Sequence, residues 1–172
     1  MLPLNLDPSR ARTPYPSTDS VFHYKQEQQK IQDVVTYFFD KLTNNLEWQR
    51  AKAAGLLSCP LSEGWEQRAY HTHIVPIWTK PRHEQYLFLH LMSENINAYN
   101  FAFPVVPKGK SRVRMVFHAH NTKADVDKTV DAIAEWVREM LDVELQGESA
   151  DMVEYVPRVA SEVYGMRAAV NV

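Results

Sequence analysis

An α/β (α+β) fold is what this sequence predicts: a small mixed or antiparallel sheet of about three strands packed by helices, in the order α-β-α-β-β-α. Three observations carry it. Ile31, Val34, Val35, Phe38, Leu42 and Leu46 recur at three-to-four spacing with polar residues between them, the mark of an amphipathic helix. Two short runs, "HTHIVPIW" and "RVRMVFH", are dense in β-branched and aromatic residues and read as strands. Val126, Val130, Ile133, Val137 and Leu141 line one face of a long last helix. Helices and strands alternating this way suit a sheet with helices packed on it.

Taken in order, residues 1–22 hold a cluster of prolines and little periodicity, so they read as an extended or disordered leader. Residues 23–145 form the domain. Its first helix runs from His23 to about Ala54, with Gly55 as its stop. "LLSCPLSEGWEQRAY" is an irregular connection. His71–Trp78 is a strand whose Pro76 argues for an edge or a bulge, because proline cannot donate to a ladder. Arg82–Glu94 is a helix, Ile96–Phe101 a short strand and Arg112–His118 the last strand. Thr122 and Asp125 form a capping pair for the final helix, Asp standing in for the usual Glu. Residues 146–172 are a tail with one short helical stretch, "RVASEVYGMRAAV".

Composition excludes several function classes. A chain of 172 residues suits one domain with a real core. Its net charge of −2 suggests neither nucleic acid nor a membrane surface as partner. The lone Cys59 allows no internal disulfide. No apolar run approaches the ~20 residues of a membrane span, and the start lacks a signal-peptide layout. A cytoplasmic location is the expectation.

The motifs "IVPI", a helix ending near Glu94-Asn95, "PVVPKG", "SRVR" and "NTKADVD", in this order over roughly residues 25–142, resemble the C-terminal small domain of the α-oxoamine synthases. That is the branch of fold-type-I pyridoxal-phosphate enzymes that includes 8-amino-7-oxononanoate synthase. "GLLSCPLSEGWEQR" and "VVPKGKSRVRMVFHAHNT" are similar to fungal members, some tied to secondary metabolism. The resemblance implies the fold. It also implies that the cofactor belongs to a large domain preceding this segment, where this chain has a proline-rich leader. Lys25, Lys41, Lys52 and Lys80 sit in helix or turn contexts, whereas a Schiff-base lysine must be desolvated beside the cofactor. The expectation is therefore no cofactor and no pyridoxal-phosphate chemistry.

Strand alternation puts Arg112, Arg114, Val116 and His118 on one face and Val113, Met115 and Phe117 on the other. In the resembled family the second Arg of the R-x-R pair binds the substrate carboxylate; here that position is Arg114, with Arg112 beside it. A guanidinium fork matches two carboxylate oxygens; the plain alternative is a structural salt bridge. His71 and His73 share one strand face and His118 and His120 another. No Asp, Glu or Cys completes a ligand set with them, so no metal is expected. His118, His120 and His73 are acid/base candidates, since imidazole titrates near neutrality; polar strand-end residues bonded to backbone or water are the plain alternative. His71, Trp65 and Tyr70 are candidates for lining the substrate site with Arg112 and Arg114.

Two functions follow. One is a repurposed small domain working without pyridoxal phosphate on a small carbonyl- or carboxylate-bearing natural-product intermediate, by cyclisation, isomerisation or dehydration, as a homo-oligomer. Such steps need positioning and proton transfer more than an electron sink. The other is a non-catalytic truncated paralogue, or a partner subunit of a full-length synthase.

Overall fold

The computed structural model describes residues 18–146. The chain runs α1 (Thr18–Asn44), α2 (Leu46–Ala53), β1 (Leu57–Ser58), two 3-10 turns, β2 (Ile74–Thr79), α3 (His83–Ser93), β3 (Tyr99–Phe101), β4 (Arg112–Val116) and α4 (Lys123–Gln146). The strands form one antiparallel sheet in the order β1-β2-β4-β3. This is the expected α+β class, with a fourth, two-residue strand inside the stretch read as irregular connection. The tail beyond Gln146 and the first part of the leader lie outside the described residues. Thr18–Phe22, read from the sequence as leader, are helical.

The first helical run is two helices, not one. Thr43 Oγ1 donates to the Phe39 carbonyl at 2.7 Å and Asn44 Nδ2 to the Asp40 carbonyl at 2.9 Å. Asn45 then turns extended, and its side-chain oxygen accepts the N–H groups of Glu47 and Trp48. Polar side chains that bond local backbone compete with a continuing helix and favour a new cap. Gly55 ends α2 as expected, with φ at 69°, in the left-handed region that favours glycine.

Pro76 tests the sheet most directly. β2 is interior in strand order, yet it is not a fully paired central strand, as its proline predicts. β1 pairs only with Thr79 and Trp78, while Pro76 lies opposite Arg114 of β4. At Pro76 the strand therefore has a neighbour on one side only, where a missing N–H is tolerated. β2 also begins at Ile74, not His71; one further bond, Phe117 N–H to the His73 carbonyl at 2.9 Å, extends the ladder past it.

The core lies on one face of the sheet. Val75, Ile77, Val113, Met115 and Phe117 are buried there among Phe38, Leu42, Leu87, Leu91 and the α4 face Val126, Val130, Ile133, Val137 and Leu141. Phe38 packs against Phe117 with the rings tilted and their centroids 4.8 Å apart. α4 contacts all three other helices. Polar ties fix it: Tyr37 on α1 donates to Asp127 at 2.9 Å, and the buried His90 on α3 donates from Nε2 to the Ala132 carbonyl at 3.0 Å. The start of α4 carries the expected cap. Thr122 N–H and hydroxyl donate to Asp125 Oδ2, and Asp125 N–H donates to Thr122 Oγ1.

Phe38 is fully buried between α1 and β4. Phe38→Ala should lower unfolding free energy by about 3–5 kcal/mol, the cost of emptying a large aromatic site. Urea unfolding with an unchanged slope and a lower midpoint is the expected result.

Candidate functional site

Because β4 buries Val113 and Met115, it must turn Arg112, Arg114 and Val116 to the opposite face. Register adds Pro76 and Tyr99 opposite Arg114, and Trp78 and Phe101 opposite Arg112. No residue of this second face is buried. It is an apolar, aromatic surface that carries cations. The Arg114 guanidinium lies over the Phe101 ring at 4.2 Å, and Lys110 lies over Trp78 at 4.4 Å. Stacking of this kind holds a guanidinium by its flat face. Its N–H edge is thereby left for an acceptor. Among the described residues no carboxylate pairs with Arg112 or Arg114, so none of them supplies the salt bridge that was the plain alternative.

The histidines lie elsewhere. His118 and His120 follow β4 in the turn before α4 and stack nearly parallel, with centroids 5.2 Å apart and planes at 9°. Asn121 fixes that turn by accepting the His118 backbone N–H at 2.7 Å. The pair lines a cavity of about 630 Å³ together with Tyr99, Asp125 and Lys128. The Thr122 bonds hold the Asp125 carboxyl below the usual carboxylate range.

His71, His73 and Tyr70 line a separate cavity of about 540 Å³ against α1. Gln32 clamps the His71 backbone from both sides, donating to its carbonyl at 2.9 Å and accepting its N–H at 2.7 Å. The His71 ring meets Phe39 at 5.5 Å and Trp65 at 6.1 Å, and its Nδ1 is buried without a partner among the described residues. Tyr70 is 81% exposed, whereas Trp65 packs on Phe39 at 6.2 Å.

The eight residues singled out in the sequence thus fall at three places: Arg112 and Arg114 on the open sheet face, His118 and His120 beyond its end, and His71, His73, Tyr70 and Trp65 beside α1. Sequence reasoning missed Phe101, Tyr99, Lys128 and Gln32, which reach these places only through strand register and helix docking. The Thr122–Asp125 cap was the one local signal that α4 begins beside the histidine turn.

Among the described residues no cluster of His, Cys, Asp or Glu could hold a metal ion, and no helix is long and apolar enough to cross a membrane. Every described lysine is exposed, so none fits the desolvated lysine that pyridoxal phosphate requires. The described residues do not by themselves fit that cofactor.

No family model matches the chain. It is similar to two fungal proteins named aminoacyl transferase sphA. The one from Aspergillus fumigatus is 40% identical over 145 residues, 84% of this chain and 30% of that one. The one from Byssochlamys spectabilis is 39% identical over the same shares. An 8-amino-7-oxononanoate synthase from Symbiobacterium thermophilum is 44% identical over 50 residues, 29% of this chain and 13% of that one. These likenesses agree with the small-domain resemblance read from the motifs. The chain spans 30% of the length of the aminoacyl transferases it matches.

Burial first, and the Arg68 cation second, hold the His71 imidazole below its ordinary range. The unfolded chain takes that proton more readily. Stability from neutral His71 is therefore fully present above the ordinary value of about 6.5 and is lost as pH falls through the depressed folded value. His71→Phe should flatten the fall in urea midpoint between about pH 7 and 5, while the wild type declines.

Proposed function

We propose that this chain acts as the small domain of an α-oxoamine-synthase-like aminoacyl transferase. On this reading it presents Arg114 from an uncovered sheet face to grip a substrate carboxylate. The observation that carries this is the one-sided sheet, whose open face holds Arg114 stacked on Phe101 and unpaired by any described carboxylate. Likeness to proteins named aminoacyl transferase supports it, as does the fact that they are far longer than the match. The flanking Ile74, Trp78 and Phe101 suit an acyl chain or a covering protein surface. The chain's own part is to bind and orient: the guanidinium fork meets two carboxylate oxygens, and the aromatic stack fixes its plane.

A second reading is conversion of a carbonyl or carboxylate intermediate without pyridoxal phosphate, with His118 or His120 moving the proton. The polar cavity at the histidine turn favours it. Against it stands distance. Arg114 lies about 13 Å from His118 at strand rise, so one substrate would have to span both.

Hexanoate, with an apolar tail and one carboxylate, probes the face in NMR titrations read at the Arg114 side-chain N–H. Arg114→Ala should weaken binding by tenfold to over a hundredfold, about 1.5–3 kcal/mol. Arg114→Lys should restore it only in part, because an ammonium lacks the two-donor fork. Unchanged binding in Arg114→Ala would show the face to be scaffold. Light scattering should find a heteromer when the chain is mixed with a full-length aminoacyl transferase; a self-sufficient homodimer with turnover of its own would favour the second reading.

A further inference from the structure

The cavity at the end of β4 has a chemical character that neither reading uses. Its wall brings together His118, His120 and Lys128, three side chains able to carry positive charge, with the amides of Asn95, Asn97 and Asn121. Among the described residues none of the three cationic groups forms an ion pair. The titratable groups facing the space are these three, Tyr99 from β3 and Asp125 from α4. Among the described residues Asp125 is the one carboxylate facing them. Its Oδ2 accepts the Thr122 N–H at 2.8 Å and the Thr122 hydroxyl at 2.9 Å within the helix cap. His120 and Lys128 add a smaller electrostatic lowering of its pKa, so three groups able to carry positive charge stand against one carboxylate. The Asp125 N–H is likewise taken, by Thr122 Oγ1 at 3.2 Å.

The stacked imidazoles narrow the ligand. Two parallel rings 5.2 Å apart repel when both are protonated, and an anion that accepts from both turns that repulsion into attraction. Two ring N–H donors, an ammonium and amide N–H groups suit the several oxygens of a tetrahedral anion better than the two of a carboxylate. A space of about 630 Å³ is the size of a small-molecule pocket, far more than a bare ion fills. Ile96, Val116 and Tyr99 give it an apolar side.

We infer that this cavity is a binding site for a small organic molecule carrying a phosphate- or sulfate-type dianion, held by His118, His120 and Lys128. It adjoins the Arg114 face, sharing Tyr99 and Val116 with it, but is held by different charged groups.

The test uses the full chain in NMR titrations with three probes: sulfate, inorganic phosphate and phenyl phosphate. Sulfate keeps its charge across the range, so any pH dependence belongs to the protein. Saturable shifts are expected at His118, His120, Asn121 and Lys128. Sulfate affinity should rise at least about tenfold from pH 8 to pH 5.5, the range in which imidazoles gain a proton. The double variant His118→Gln, His120→Gln should abolish binding. Lys128→Gln should weaken it about tenfold, and Lys30→Gln, on the exposed side of α1, should leave it unchanged. At one fixed pH, phenyl phosphate should bind about tenfold more tightly than inorganic phosphate if the apolar side is used. Shifts spread over exposed lysines such as Lys25 and Lys30, pH-independent sulfate binding, or full binding by the double variant would each overturn the site. Equal affinity for phenyl and inorganic phosphate would overturn the organic ligand.

Discussion

The alternation of β4 is the constraint on which the rest depends. The strand pairs along Arg112–Val116 with β2 and along Arg112–Arg114 with β3. Held at both edges, it cannot rotate. A slip of one residue would push two arginines into the core and expose Val113 and Met115. Burial of those two therefore decides where Arg112 and Arg114 point. The same ladder, continued by the bond between Phe117 and His73, decides where the chain leaves the sheet and where the histidine turn stands.

From that strand the molecule presents two chemical surfaces, which differ in how they are built. On the open face a cation rests on aromatic rings, and flat apolar area surrounds one charged fork. At the strand's end, cations, amides and a ring hydroxyl surround a hollow. The open face costs the core nothing, because its residues stand on the solvent side of the strand, whereas the hollow is walled in part by Met115, Phe117 and Val126 of the core. α4 serves both ends: its buried stripe clamps the sheet through its neighbours, while its first turn walls the hollow.

Local patterns made much of this legible in the sequence. The stripe of α4, its Thr122–Asp125 cap and the two-sidedness of β4 are periodic or short-range features, and the chain displays them directly. What could not be read depends on pairs far apart in sequence. Phe101 beneath Arg114, Gln32 beside His71 and Tyr99 beside the histidine turn are set by register and docking. Asn45 was overlooked for another reason. An apolar stripe running through Leu42 and Leu46 hides a break whose signal is a polar side chain bonding its own backbone. Pro76 signals incomplete pairing, and β1 does leave that part of β2 uncovered; which strands flank the rest is again set at long range.

The brevity of β1 and β3 also governs how this molecule meets copies of itself in the wrong way. A sheet's outermost strands offer bare N–H and C=O groups on which other chains can add, and long, flat borders invite amyloid-like growth. Here one border strand has two residues and the other three. The stretch of β2 left bare by β1 includes Pro76, which has no N–H to offer. Among the described residues, an aromatic, apolar sheet face is thus combined with borders too short to template another strand.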